Sequence, residues 1–237
     1  MLSSNMLVNA KDADEAFEKW IEILINQDME EDSRDGEVVG EVINAITVIE
    51  DPTRCIMHNG LRKMPIRYAF GEFLWYLSGN NKFKNTISKY SKVWERLSDN
   101  GDTVNSNYGY CIKKKFGFDQ YEYVKELLEK DKNTRRAVIH IKEPVNTLEK
   151  DTKDLNCTIC LQFFIRNEKL YMTTYMRSND IWLGFPYDVF NFSALQVLLS
   201  MELEVELGTY THISGSLHLY RKNLETIEKR KANIGDV

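Results

Sequence analysis

The sequence predicts an α+β (mixed α/β) architecture with one large β-sheet flanked by helices. Strand-like and helix-like segments alternate unevenly along the chain, which argues against a regular parallel βαβ repeat. Two strong strand signals are joined directly by the short polar turn Arg166-Asn-Glu-Lys169, the mark of an antiparallel hairpin. The 237 residues contain only four prolines and twelve glycines, and no Ser/Gly/Pro-rich stretch divides them. Residues 1–237 therefore read as one domain.

Taken in order, Asp12 to about Asn26 reads as an amphipathic helix with Ala16, Trp20, Leu24 and Ile25 on one face. Glu37 to Glu50 is rich in valine and isoleucine and reads as a strand pair or one long bent strand ending at Asp51-Pro52. Pro65 opens a helix through Leu77 that stops at Ser78-Gly79. A further helix is expected from about Lys82 to Leu97, a turn at Asp99-Asn-Gly-Asp102, and a charged amphipathic helix from Asp119 to Lys130. Arg136–Ile141, Cys157–Arg166 and Leu170–Met176 read as strands, Pro186–Leu203 as an apolar buried helix, Thr209–Leu217 as a strand and Asn223–Lys231 as a solvated helix.

Composition excludes several classes of function. A net charge of −5 argues against duplex DNA or RNA as a partner, because such binding rests on phosphate neutralisation. A mononucleotide, needing only a local arginine cluster, stays open. No apolar run approaches the ~20 residues of a membrane span, and the N-terminus lacks the basic-then-apolar pattern of a signal peptide. A cytoplasmic location is expected, that of a host cell if the source is viral. Of the four cysteines, Cys157 and Cys160 form a C-x-x-C pair while Cys55 and Cys111 stand alone. No second pair or H-x-x-x-H completes a zinc tetrahedron, and the segment reads as strand rather than the helix start used by redox pairs. No metal is expected.

Chemistry-bearing side chains concentrate in Asn156-Cys-Thr-Ile-Cys-Leu-Gln-Phe-Phe-Ile165, Met176-Arg-Ser-Asn-Asp180, Gly184-Phe-Pro-Tyr-Asp188 and Gly215-Ser-Leu-His-Leu-Tyr220. An isolated cysteine on a strand is by default a small core hydrophobe. Arginines change that expectation, because positive charge favours the reactive thiolate. Arg177 and the pair Arg135-Arg136 are the candidates, although paired arginines also suit a solvated turn. Glu72 lies in Tyr-Ala-Phe-Gly-Glu-Phe-Leu-Trp-Tyr-Leu, a helix apolar nearly all round and therefore expected to be buried. It is either buried with a raised pKa suited to proton transfer, or it reaches solvent past Gly71. His218 and Tyr220, two apart on a strand, share a face. Asp188, just inside a helix start, could equally be a helix-end carboxylate.

Together these residues resemble the thymidylate synthase superfamily in order, type and spacing. The resemblance rests on the cysteine strand, Arg177-Ser-Asn-Asp180, Leu183-Gly-Phe-Pro186 and Gly215-Ser-Leu-His-Leu-Tyr220. Upstream, Arg34-Asp-Gly36 resembles the phosphate-loop arginine motif, Gly71-Glu-Phe-Leu-Trp-Tyr-Leu-Ser-Gly79 the glutamate helix, Arg135-Arg136 the paired arginines, and Trp94 the folate-contacting tryptophan. Four departures point one way within the superfamily. Asn156-Cys157-Thr158 stands for Pro-Cys-His, Asp188 for an asparagine, Gly215-Ser-Leu-His218 for Gly-Asp-x-His, and Val104-Asn-Ser-Asn-Tyr-Gly109 for a Pro-Val-Tyr-Gly segment. All four resemble the phage-type deoxycytidylate (dCMP) hydroxymethylases.

The resemblance implies a nucleotide C5 hydroxymethyltransferase using 5,10-methylenetetrahydrofolate as co-substrate. Cys157 would attack C6 of the pyrimidine, with Glu72, Asp188 and Tyr108 completing the catalytic set. Arg34, Arg177 and Ser178 would hold the phosphate, with Arg135 and Arg136 contributed across a homodimer interface. His218 and Tyr220 would hold the sugar. Folate would meet Glu72, Trp94, Asp180, Leu183, Gly184 and Tyr187. An asparagine amide suits uracil, donating to O4 and accepting from N3–H. Cytosine instead presents an amino donor and a bare N3, which a protonated aspartate matches as acceptor and donor. The sequence leaves open thymidylate synthesis from dUMP and a CMP substrate. Outside catalysis it leaves a nucleotide-binding regulator, and a redox role for Cys157 and Cys160. The chain ends soon after Tyr220, so either a shorter lid over folate than the synthases carry or a cofactor site more open to water is expected.

Overall fold

The structure is a computed structural model that describes residues 6–27, 29–33, 35–144 and 151–235. Its elements begin with β1 (Leu7–Ala10), α1 (Ala13–Ile25), β2 (Glu31–Ser33), β3 (Gly36–Ile49) and α2 (Ile66–Ser78). Next come α3 (Val93–Leu97), α4 (Tyr108–Tyr110), α5 (Gln120–Lys130), β4 (Val138–His140), β5 (Thr158–Arg166) and β6 (Lys169–Met176). The chain closes with β7 (Asn179–Asp180), α6 (Phe185–Glu202), β8 (Glu206–Tyr220) and α7 (Arg221–Gly235). These strands form one mixed sheet in the order β1-β3-β8-β6-β5-β4, with β2 added to β3 and β7 to β8. The predicted fold class is the observed one.

Local chemistry explains the main elements. Asp12 caps α1 by accepting the Glu15 N–H at 2.9 Å. The buried stripe Ala16, Phe17, Trp20, Ile21 and Leu24 then packs that helix on β3. The Trp20 indole N–H donates to Thr47 Oγ1 at 2.8 Å, so the large ring is buried with its polar edge satisfied. Between β5 and β6 the two turn residues Asn167 and Glu168 both take positive φ, 51° and 57°, as a two-residue primed hairpin turn requires. β3 is one long strand with an irregularity between Val38 and Gly40. There α1 approaches so closely that a Cβ on Gly40 would lie 2.3 Å from the Leu24 carbonyl oxygen.

Burial alternates along β5, β6 and β8. Leu161, Phe163, Ile165, Met172, Thr174, Tyr210 and His212 face the core. Phe164, Tyr171, Tyr175 and Ile213 remain half-buried on the opposite face. α6 lies on the core face, tied to the sheet by Gln196 Nε2, which donates to the Leu170 carbonyl at 2.8 Å.

Three expectations are corrected. The helix expected over Lys82–Leu97 is broken into a 3₁₀ turn at Ile87–Lys89 and the short α3. Asn85 takes φ 60°, which a continuous right-handed helix cannot accommodate. The expected strand Thr209–Leu217 runs from Glu206 to Tyr220, because β6, β3 and β7 all pair along it. α2 is apolar nearly all round yet not buried all round: Leu74 is 63% exposed and Phe70 47%.

Candidate active site

Tertiary packing gathers the chemistry into one cleft of about 570 Å³. It lies where α2, α3, the α4 turn, the start of β5, β7, the start of α6 and the end of β8 converge. Glu72 comes from α2 and Tyr108 from α4. Those elements touch so closely that a Cβ on Gly109 would sit 2.1 Å from the Tyr76 Cα. Only glycine permits this approach, which sets Tyr108 against α2, its ring 5.7 Å from that of Tyr76.

Glu72 is 4% exposed. Its Oε1 accepts the Tyr68 hydroxyl at 2.9 Å and its Oε2 accepts Asn191 Nδ2 at 2.7 Å. Burial pushes the carboxyl up to about 7, and the two hydrogen bonds only partly offset it. Asn191 Oδ1 has no partner among the described residues. Rotating that amide would let it accept a proton from a neutral Glu72, so Asn191 can serve either protonation state. Asp188 stands half-buried on the cleft wall, with Asn179 Nδ2 donating to its Oδ2 at 2.7 Å. Burial first, then the nearby Glu72, raises this carboxyl to about 8, against the Asn179 bond.

Cys157, half-buried, immediately precedes β5 and lines the cleft. Burial, followed by the neighbouring Cys157, raises the Tyr108 hydroxyl, so Tyr108 stays neutral and able to donate. Arg177 binds backbone: Nε donates to the Asn156 carbonyl at 3.1 Å and Nη2 to that of Leu155 at 3.0 Å. The arginine therefore braces the segment leading to the cysteine. Asp180 accepts the Trp182 and Leu183 N–H groups at 2.7 and 3.1 Å, shaping the turn before α6. His218 lies edge-on to Tyr220, ring centres 5.0 Å apart, and its Nδ1 is 3.3 Å from Ser216 Oγ.

The family model described as thymidylate synthase matches residues 15–233. The chain belongs to the thymidylate synthase family. Among curated relatives it is 29% identical over 197 residues to a deoxyuridylate hydroxymethyltransferase of Bacillus phage SP01, covering 78% of this chain and 51% of that protein. It is 26% identical over 197 residues to a bifunctional dihydrofolate reductase–thymidylate synthase of Paramecium tetraurelia, covering 71% of this chain and 42% of that one. The chain thus spans about half the length of these relatives. The solved thermostable thymidylate synthase A from Bacillus subtilis shares the fold, with TM-score 0.77 over 92% of this chain and 83% of that one at 22% identity.

Most residues expected from the thymidylate synthase resemblance meet in the cleft: Glu72, Trp94, Tyr108, Cys157, Arg177, Ser178, Asp180, Leu183, Gly184, Tyr187, Asp188, His218 and Tyr220 all line it. Glu72 does not reach solvent past Gly71. Arg135 and Arg136 are exposed on the approach to the edge strand β4, outside the cleft lining. Arg34 lies outside the described residues, although its neighbour Asp35 lines the cleft. Sequence reasoning did not single out Tyr68, Asn179 and Asn191. Spacing carried a signal for two of them, since Tyr68 is one helical turn before Glu72 and Asn191 three residues after Asp188. Among the described residues no helix is long and apolar enough to cross a membrane, and no cluster of three metal-ligating side chains occurs.

Glu72 gives the cleft a pH-dependent stability cost with a definite sign. Unfolded, the group ionises at its ordinary 4.5; folded, it holds its proton up to about 7. Its stabilising share is complete below 4.5, declines as pH rises because the folded state binds more protons, and is gone above about 7. Glu72→Gln is expected to stabilise the protein by on the order of 1–3 kcal/mol at pH 8 and by little at pH 4.5. Thermal unfolding at both pH values checks it, and a gain independent of pH would contradict it.

Proposed function

We propose that the chain hydroxymethylates C5 of dCMP, with 5,10-methylenetetrahydrofolate as one-carbon donor. The observation that carries this reading is Asp188, a carboxyl in the same cleft as Cys157 and Glu72 that burial and the nearby Glu72 keep protonated near neutrality. In that state one oxygen can donate to cytosine N3 while the other accepts from the amino group. Uracil, with N3–H and a carbonyl, presents the opposite pattern. The similarity to a phage deoxyuridylate hydroxymethyltransferase supports hydroxymethyl transfer as the reaction type. That relative's own base, uracil, supports dUMP as the second reading.

In the proposed reaction the Cys157 thiolate adds to C6, and the C5=C6 electrons move to C5, which bonds the one-carbon unit. Loss of the C5 proton and departure of tetrahydrofolate leave an exocyclic methylene. Water adds to that carbon, giving a proton to a base, and the returning electrons expel Cys157. Glu72, poised near 7 between Tyr68 and Asn191, would accept that proton and orient the water. Ser178, Arg177 and Arg34 would bind the phosphate, and His218 and Tyr220 the sugar. Trp94, Asp180, Leu183, Gly184 and Tyr187 would face the folate. The enzyme would act in the cytoplasm, of a host cell if viral.

Mass spectrometry of dCMP and dUMP, each incubated with protein and methylenetetrahydrofolate, tests the reading. Hydroxymethylated dCMP with dUMP unchanged is expected. Methylated dUMP would make the chain a synthase, hydroxymethylated dUMP would remove the base assignment, and product from CMP alone would change the sugar.

The reading includes a homodimer. The half-buried sheet face bearing Phe164, Tyr171, Tyr175 and Ile213 suits a second sheet, and Arg135 and Arg136 would then reach a partner's phosphate. Mixing the inactive Cys157→Ser protein with an inactive Arg135→Ala/Arg136→Ala protein is expected to recover activity, because each hybrid contains one intact site. No recovery after confirmed subunit exchange would count against shared sites.

A further inference from the structure

A buried polar chain runs from the sheet interior to Asp188. Asp188 Oδ2 accepts Asn179 Nδ2 at 2.7 Å, and Asn179 Oδ1 lies 3.2 Å from His212 Nε2. His212 Nδ1 is 2.8 Å from the Tyr210 hydroxyl, itself 3.0 Å from Thr174 Oγ1. Thr174, Asn179, Tyr210 and His212 are all buried, at 0–3% exposure.

Proton counting fixes the directions. Burial holds His212 down to about 3, so the ring is neutral and carries one N–H. With the asparagine oxygen at Nε2, that hydrogen sits on Nε2 and Nδ1 accepts from Tyr210, whose oxygen then accepts from the Thr174 hydroxyl rather than donating to it. The opposite asparagine orientation would put its oxygen against Asp188 Oδ2 and its NH₂ against an imidazole forced into the other tautomer. Gly184 leaves room for the contact: a Cβ there would lie 2.9 Å from Asn179 Nδ2 and 3.1 Å from Asp188 Oδ2.

We infer that Asn179, held in one orientation by His212, is a specificity-determining residue that keeps the Asp188 proton off Oδ2 and places it on Oδ1. The inference rests on the reading of Asp188 as the base-recognising group. Oδ1 accepts no hydrogen bond from the described residues. Cytosine then meets Oδ1–H at N3 and Oδ2 at its amino group. Uracil would need the proton moved to Oδ2 to face O4, where the Asn179 N–H already points. The relay therefore acts against uracil, as well as for cytosine.

Two measurements test this. In Asn179→Leu the preference for dCMP over dUMP, as a ratio of kcat/KM, is expected to fall roughly tenfold to a hundredfold. His212→Leu should fall similarly. His212→Gln, whose amide can still donate to Asn179, should recover part of the preference. An equal loss for both bases, or a ratio within twofold of wild type, would overturn the inference. The second measurement needs no variant: ¹⁵N-histidine NMR of the wild-type protein should show His212 as the neutral Nε2–H tautomer. An Nδ1–H tautomer or an imidazolium would overturn it even if the variants fail to fold. Failure of the base reading shows separately, as wild-type enzyme that ignores dCMP, and the tautomer still decides the relay.

Discussion

Asparagine in place of Asp188 is expected to turn the base preference from cytosine toward uracil. With the carboxyl gone, Asn179 can turn its oxygen toward position 188 while His212 takes the other tautomer, so the new amide sets its NH₂ where Oδ2 stood, opposite the C4 substituent. That group donates well to uracil O4 but meets the cytosine amino group donor to donor. Removing one donor–acceptor match while creating one clash should cost dCMP roughly a hundredfold or more in kcat/KM. The activity of the variant on dUMP should rise in the same assay. An unchanged preference for dCMP together with a His212 turned to the Nδ1–H tautomer would mean that Asp188 does not read the base, whereas an unturned Nε2–H tautomer would mean that Asn179 kept its orientation. The change also removes a carboxyl raised to about 8, so any pH dependence of base choice between neutrality and pH 9 should vanish with it.

Cys157→Ser is expected to lower turnover by on the order of a thousandfold or more while nucleotide binding stays within a few-fold. A serine hydroxyl is far less ionised than a thiol and so a far poorer nucleophile toward C6. The braces around the position remain, since Arg177 holds the carbonyls of Leu155 and Asn156 rather than the thiol. Quantitative product analysis alongside equilibrium binding of the nucleotide separates chemistry from recognition. Full retention of biological activity in this variant would favour a binding protein over an enzyme.

Periodicity made the large elements legible. α1, α5 and α6 carry clear caps or long apolar patterns, and the hairpin of β5 and β6 announces itself through Asn167. Elements defined by pairing rather than pattern were not. β1 is four residues held as a parallel edge to β3, and β7 is two residues held by β8, so neither has a period to read. The broken helix after Lys82 fails because local propensity does not register the left-handed turn at Asn85. In the site, residue type and order, through the family resemblance, pointed to Cys157 and to the carboxyls that line the cleft with it. Asn179 stayed hidden inside Arg-Ser-Asn-Asp because its importance comes from what lies behind it. His212 reaches it only once β7 and β8 are side by side.

That placement of β8 also bears on how the protein comes into being. Among the described strands it is the last to be synthesised, yet it lies between β3 and β6 and joins both by long ladders. Until residues 206–220 leave the ribosome, β3 and β6 are exposed edges with open backbone groups. A nascent chain must hold these two halves apart, soluble and unjoined, while more than half of the cleft residues already exist. The complete cleft then arrives late and all at once, when one strand closes the sheet.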